Sequence, residues 1–315
     1  MDSLVLIAGI KNVKGYAPTM LQPALKAPGA LLRDLMTQDI VVMPGVFSAI
    51  SAVSATKAGA KALYISGAGI TNAALGVPDI ALATLTEFAQ QAAAICQVAP
   101  IPVLSDADTG FGESLNVART VIEMERAGLA GIHLEDQVSP KRCGHLDGKT
   151  CIEPQAMANK IRAAVDSKRD SSFMIVARTD ARGVEGLDAA INRARLYEAN
   201  GADAIFPEGL GSEQEFEVFR SALKVPLLAN MTEFGKTPLI SVQRFRELGY
   251  QMVIFPMTAF RVMLKALDDS YSELLGSGTQ AGLMKSMRTR QELYDLIDYA
   301  EYNSKDHLWS QIVTE

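Results

Sequence analysis

Eight short runs of β-branched and aliphatic residues, spread between residues 39 and 255, constrain this chain more than any other feature. They lie at 39–44 (DIVVMP), 62–67 (ALYISG), 102–106 (PVLSD), 131–135 (GIHLE), 173–178 (FMIVAR), 203–207 (DAIFP), 225–229 (VPLLA) and 251–255 (QMVIF). The stretches between them, such as 84–98, 114–127, 154–168 and 187–200, repeat apolar residues at three- and four-residue spacing, the period of a helix with one buried face. Alternating strands and helices make a parallel sheet covered by helices, and eight such units favour closure into a (β/α)8 barrel of the TIM type. An internal repeat supports the count: KAGAKALYIS, RAGLAGIHLE, ANGADAIFPE and ELGYQMVIFP precede or contain every second strand. In each, a glycine (Gly59, Gly128, Gly201, Gly249) is expected to end the helix in the left-handed conformation. An open doubly wound sheet is the competing architecture, but no Gly-x-Gly-x-x-Gly follows the first strand.

The 315 residues exceed the roughly 250 of a bare barrel, which leaves terminal extensions. We divide the chain into an N-terminal arm (1–30), a catalytic barrel (31–270) and a C-terminal helical extension (271–315). In the extension Leu283, Met287, Leu293, Leu296 and Ile297 form an incomplete apolar stripe that needs a partner surface, either the barrel or another subunit. The net charge of −6 comes without any Lys/Arg block, which argues against nucleic acid or an anionic membrane as the main partner. Three cysteines are too few for a secreted disulfide framework, so a cytoplasmic setting is expected.

Polar residues collect just after the strands: Asp106 and Asp108 in SDADTGFG, Glu135 and Asp136 in HLED, Arg178 and Asp180 in ARTD, then Glu208 and Asn230. In a βα barrel these positions converge on one mouth. If the third strand persists through both aspartates, their carboxylates share a face, where a hard divalent cation such as Mg²⁺ would relieve their repulsion. An Asx turn leading into the glycine-rich loop is the bland alternative. After the fourth strand, Lys141-Arg142-Cys143-Gly144-His145 sets a cysteine among cations in a polar segment, suited to a nucleophile or a proton donor; spacing alone does not choose. His133 reads as an interior residue and Trp309 as a packing anchor.

Taken together, KRCGH, HLED, SDADTGFG, SGAG at 66–69, VPD at 77–79, ARTDA at 177–181, FPE at 206–208 and NMTEFGKTP at 230–238 resemble the isocitrate lyase/phosphoenolpyruvate mutase superfamily. The likeness covers roughly residues 30–300 and is greatest to the 2-methylisocitrate lyases, since the large insertions of longer isocitrate lyases are missing. The resemblance implies cleavage of (2S,3R)-2-methylisocitrate, a tricarboxylate, to pyruvate and succinate in the methylcitrate cycle of propionate breakdown. It implies Mg²⁺, with Mn²⁺ as a substitute, on Asp106 and Asp108, and with Asp79 and Glu135 as outer ligands through water. It makes Cys143 the general acid, with Lys141 and His145 orienting or tuning it and Glu135 in the catalytic set. It assigns substrate contact to Ser66, Gly67, Ala68, Cys143, Gly144, Arg178, Glu208, Asn230, Met231, Thr232, Arg261 and Arg290. It also implies a homotetramer, a dimer of dimers that exchange a C-terminal helix.

One departure is SGAG, where these lyases often carry SGGG or SGGA, so Ala68 adds a methyl group. Phe206, Ile254 and Pro256 are the expected wall around the substrate's extra methyl, a discrimination worth about 1–3 kcal/mol. Competing readings are a related lyase or hydrolase acting on isocitrate, citramalate or oxaloacetate, and a non-catalytic metabolite-binding barrel. The latter should have lost Cys143 or a metal carboxylate, and the chain retains all of them.

Overall fold

The computed structural model describes residues 25–142, 144 and 148–311. Most of the expected arm, together with Cys143 and His145, lies outside the described residues. Eight strands form the centre: β1 (Val41–Val46), β2 (Leu63–Ile65), β3 (Val103–Asp106), β4 (Gly131–Glu135), β5 (Met174–Thr179), β6 (Ala204–Pro207), β7 (Leu228–Asn230) and β8 (Met252–Phe255). Each is parallel to its neighbours from β1 to β6, and β8 joins β7 to β1. A parallel bridge between Ile205 and Leu227 brings β6 against β7, with the Ile205 N–H donating to the Pro226 carbonyl at 3.0 Å, so the ring closes. β7 starts at Leu228, later than the 225–229 run suggested, because Pro226 has no N–H to offer and contributes only its carbonyl.

The helices are α1 (Pro28–Gln38), α2 (Ala49–Lys57), α3 (Gly67–Ile70), α4 (Leu85–Val98), α5 (Ser114–Arg126), α6 (Pro154–Asp166), α7 (Leu187–Ala199), α8 (Glu213–Ala222), α9 (Val242–Glu247), α10 (Thr258–Ser277), α11 (Arg290–Leu296) and α12 (Tyr299–Ser310). Their ends follow local chemistry. Thr84 accepts from the Glu87 N–H while the Glu87 carboxylate accepts from the Thr84 N–H, closing a capping box on α4. Gly59, Gly128, Gly201 and Gly249 all have φ between 78° and 97°, the left-handed turn expected before even-numbered strands.

Two apolar layers result. An outer layer, including Leu63, Ile65, Val103, Ile132 and Ile175, packs against the helices. An inner layer, including Met43, Tyr64, Leu104, Met174, Val176, Phe206, Met252 and Ile254, fills the barrel. α1 seals the N-terminal end: Leu32 is fully buried in the inner layer, and Arg33 donates to the Ser172 carbonyl and pairs with Asp203. Residues 28–30 therefore belong to this plugging helix rather than to the arm.

The C-terminal segment is built differently. Among α10's residues only Phe260 is buried, and Val262, Tyr271 and Leu275 are exposed by 68%, 59% and 86%. Trp309, expected to anchor packing, is instead 56% exposed on α12.

Candidate active site

Two-residue alternation along the strands builds the site. On β2 Tyr64 is followed two positions on by Ser66; on β3 Leu104 by Asp106; on β5 Val176 by Arg178; on β6 Phe206 by Glu208. The first member of each pair packs in the inner layer, and the second, one step further toward the C-terminal end, reaches the mouth. A cavity of about 230 Å³ lies there. Its lining includes Ser66, Ala68, Asp79, Asp106, Lys141, Gly144, Arg178, Glu208, Asn230, Thr232 and Arg261, with Phe206, Ile254 and Pro256 as an apolar wall.

The acidic side is organised around Asp106 and Asp108. β3 ends at Asp106, so the shared-face geometry expected of a continuing strand does not occur. Asp108 instead adopts a left-handed φ of 46° and its N–H donates to Asp106 Oδ1 at 2.9 Å, an Asx turn. The carboxylates still converge. A Cβ placed on Gly67 would meet Asp106 Oδ2 at 2.7 Å and Asp108 Oδ1 at 3.3 Å, so glycine is needed for this close approach. The Gly67 N–H donates to Asp106 Oδ2 at 3.1 Å.

Burial pushes the Asp108 carboxyl up to about 7, with Asp106 and Asp79 adding to the rise against the pull of Lys141. For Asp106, burial alone would raise the carboxyl, but His133, Lys141 and Arg178 together bring it below the usual carboxylate range. The Lys141 ammonium, 3% exposed, lies 2.5 Å from Asp79 Oδ1 and 2.9 Å from Asp108 Oδ1. His133 is an interior residue: Nε2 is 2.7 Å from the Tyr64 hydroxyl, Nδ1 lies 3.7 Å from Asp106, and burial lowers its ring to about 4.

The opposite side is built on Arg178. Its guanidinium donates twice to Asp180, at 2.9 and 3.1 Å, and lies 3.2 Å from Glu135 and 3.5 Å from Glu208. Burial drives the Glu135 carboxyl well above its usual range. The Asn230 amide donates to Glu208, and Arg261 donates to Thr232 at 3.3 Å while pairing with Glu233. Gly144 sits directly on this group: a Cβ there would meet Arg178 Nη2 and Glu208 Cγ, each at 2.5 Å. Only glycine brings the KRCGH segment so close.

Three expected contact residues lie outside the cavity lining, Gly67 among them, its N–H turned to Asp106. Met231 is buried beneath the cavity, its sulfur accepting from the Ile240 N–H at 3.3 Å. Arg290 opens α11, exposed and outside the cavity lining, because α11 packs on α2 rather than over the barrel mouth. Conversely, Tyr64, Asn72 and Met257 line the cavity without having been singled out, and Arg142, named only as a cation beside Cys143, lines it too. Tyr64 was detectable by counting two residues back from Ser66; Asn72 sits on the single helical turn Thr71–Leu75 and Met257 on a loop, neither with a periodic signal.

The donor set fits a hard divalent cation. Asp106 and Asp108 converge beside a glycine cradle, and Glu135 presents a buried carboxylate whose Oε1 has no hydrogen-bond partner. Among the described residues no three His, Cys, Asp or Glu side chains form a ready cage. An all-oxygen pair that leaves the other positions to water and substrate suits Mg²⁺ better than Zn²⁺.

The sequence profile described as phosphoenolpyruvate phosphomutase matches residues 32–275. A 2-methylisocitrate lyase of Aeropyrum pernix is 54% identical over 283 residues, covering 90% of this chain and 91% of its own. Among solved structures, a 2,3-dimethylmalate lyase described as a PEP mutase/isocitrate lyase superfamily member superposes with a TM-score of 0.85 at 36% identity, covering 91% of this chain and 96% of its own. An oxaloacetate acetylhydrolase with bound 3,3-difluorooxalacetate gives 0.87 at 34% identity, covering 93% of this chain and all of its own.

Proposed function

The chain belongs to the phosphoenolpyruvate phosphomutase family, and we propose that it is a carbon–carbon lyase that cleaves (2S,3R)-2-methylisocitrate to pyruvate and succinate. One observation carries this reading beyond the family likeness. Asp79 and Asp106 of the acidic side, the Arg178–Glu208–Asn230 group and Gly144 of the KRCGH segment border a single cavity large enough for one small polyacid, and the Asp108 carboxylate converges on Asp106 beside Gly67.

Asp106 and Asp108 would hold Mg²⁺, or Mn²⁺ in its place, with Asp79 and Glu135 acting through water. When bound, the metal supplies Lewis-acid polarisation of the substrate's 2-hydroxyl and neighbouring carboxylate. Ser66, Gly67 and Ala68 bind the end that becomes pyruvate, where backbone can approach closely. Arg178 grips a carboxylate with the N–H edge of its planar guanidinium, held in place by Asp180. Glu208, Asn230, Thr232 and Arg261 hold the succinate end. A general base takes the 2-hydroxyl proton, the C2 oxygen becomes the pyruvate carbonyl as the C2–C3 bond breaks with its electron pair passing to C3 of the nascent succinate, and Cys143 gives its thiol proton to that carbon, leaving a thiolate. Lys141 and His145 orient and tune the donor. Phe206, Ile254 and Pro256 receive the extra methyl.

Assembly as a homotetramer with exchanged C-terminal helices accompanies this reading. The exposed apolar face of α10 and a groove of about 970 Å³, bordered by Leu35, Val42 and Ile50 and walled on one side by the start of α10, are the surfaces such an exchange would join. Exchange would also carry the exposed Arg290 toward a second subunit's mouth. Light scattering should return four chains, and a monomer would overturn the exchange. A cytoplasmic setting fits the free thiols of Cys96 and Cys151. No helix among the described residues is long and apolar enough to cross a membrane.

The decisive test is product identification by mass spectrometry after incubation with Mg²⁺ and, separately, 2-methylisocitrate, isocitrate, citramalate or oxaloacetate, each with an EDTA control. Pyruvate and succinate from 2-methylisocitrate, abolished by EDTA, are expected. Faster turnover of any other acid would reassign the substrate.

A further inference from the structure

Arg142 and Gly144 flank Cys143 in sequence, and the backbone of each is held by a side chain from outside the KRCGH motif. Gln137, 2% exposed and just past β4, uses both ends of its amide on Arg142: Nε2 donates to the Arg142 carbonyl and Oε1 accepts from its N–H, each at 2.9 Å. Lys149, its side chain 5% exposed, donates through Nζ to the Gly144 carbonyl and to Asp180 Oδ1, the latter at 3.1 Å. Both holding residues rise from one neck, where Gln137 bridges Cys151, the Val138 N–H donates to the Thr150 carbonyl, and the Ile152 N–H donates to the Asp136 carbonyl. The Asp180 carboxylate that takes Lys149 also takes Arg178, and its own N–H donates to Asp136 at 2.9 Å.

We propose that Gln137 and Lys149 are positioning residues of the lyase reaction, fixing the main chain on both sides of Cys143 relative to the Arg178 clamp. The inference rests on the proton-donor reading of Cys143 given above. Gln137 replaces the hydrogen bonds that a regular strand partner would give Arg142. Among the described residues the other acceptor of the buried Lys149 ammonium is Asp180, already committed to Arg178, so one carboxylate registers both the segment and the substrate's carboxylate grip. A proton donor displaced by about 1 Å can lose up to about 10²-fold in rate, which gives such holding groups leverage without substrate contact.

The test uses the full chain with Mg²⁺ and 2-methylisocitrate. Gln137→Leu and Lys149→Met should each lower kcat by about 10–100-fold while KM stays within about threefold. Trypsin cleavage after Arg142 should accelerate several-fold in both variants, a readout independent of turnover. Lys149→Arg, which keeps the cation, should recover most of the rate. Gln137→Glu, which keeps the acceptor for the Arg142 N–H but loses the donor, should fall between Leu and the parent, and these two conservative variants decide the matter if Leu or Met prevents folding. A kcat within about twofold of the parent in the folded variants, or a loss of kcat with unchanged cleavage after Arg142, would overturn the proposal. Iodoacetamide separates the two readings. Full turnover after alkylation of Cys143 overturns the proton-donor reading itself, whereas inactivation by alkylation in a protein indifferent to both substitutions overturns only the positioning role.

Discussion

At the N-terminal end of the barrel Leu32, Met43, Met174 and Met252 are fully buried among apolar neighbours, while at the C-terminal end Asp106, Glu135, Lys141 and Glu208 are buried almost as deeply, at 5%, 1%, 3% and 1% exposure. Within single strands the two characters lie two residues apart, as Leu104 and Asp106 on β3 or Val176 and Arg178 on β5. At the lower end, burial removes apolar surface from water and stabilises the fold. At the upper end, burial costs desolvation of every charge and is tolerated because acids and bases are paired across the mouth. Stability and chemistry are thus stacked along one axis, and substitutions at the two ends should separate them.

The largest effect is expected at the acidic side of the mouth. Asp106→Ala should reduce turnover by about 10³-fold or more, with Mg²⁺ no longer stimulating what remains, while the melting temperature holds or rises. Full Mg²⁺-dependent activity in Asp106→Ala and Asp108→Ala alike would move the metal elsewhere. Next comes Cys143→Ser, which should slow kcat by about 10²–10⁴-fold yet bind Mg²⁺ and succinate as the parent does by calorimetry. Unfolding of this variant would make Cys143 a packing residue instead.

At the other end, Leu32→Ala should cost about 2–5 kcal/mol in denaturant unfolding while leaving kcat per folded molecule unchanged. A kcat that falls with it would mean the two ends are not separable. The smallest effect concerns the remaining thiols. Burial pushes Cys96 up to about 12 and moves Cys151 in the same direction, so neither offers appreciable thiolate at about pH 8. The folded protein should take up one equivalent of iodoacetamide, at Cys143, and Cys143→Ser should take up none on that timescale. Modification of Cys96 before Cys143 would contradict the assignment of the reactive thiol.

What could be read from the sequence follows the same division. Periodicity located all eight strands and the helices from Leu85, Ser114, Pro154 and Leu187, because each signal is local and repeated. The four glycine turns were equally legible, since only the left-handed conformation was needed to infer them. The plug formed by α1 was not, because Leu32 meets Met174 and Met252 only after the ring has closed. The turn at Asp108 was legible only as the alternative to a continuing strand: alternation describes a strand, and β3 stops at Asp106. Trp309 was misplaced for a third reason. Composition marks a residue as apolar but does not say which surface it meets.

Asp180 ties Arg178 to Lys149, whereas Ile254 and Pro256 on the facing wall carry no side-chain polar tether to either. This split has an evolutionary consequence. On the lyase reading proposed above, drift at Ile254 or Pro256 would resize the acid admitted while the wired half of the mouth stays in register, so a lineage could change its substrate one methyl group at a time without rebuilding its proton delivery.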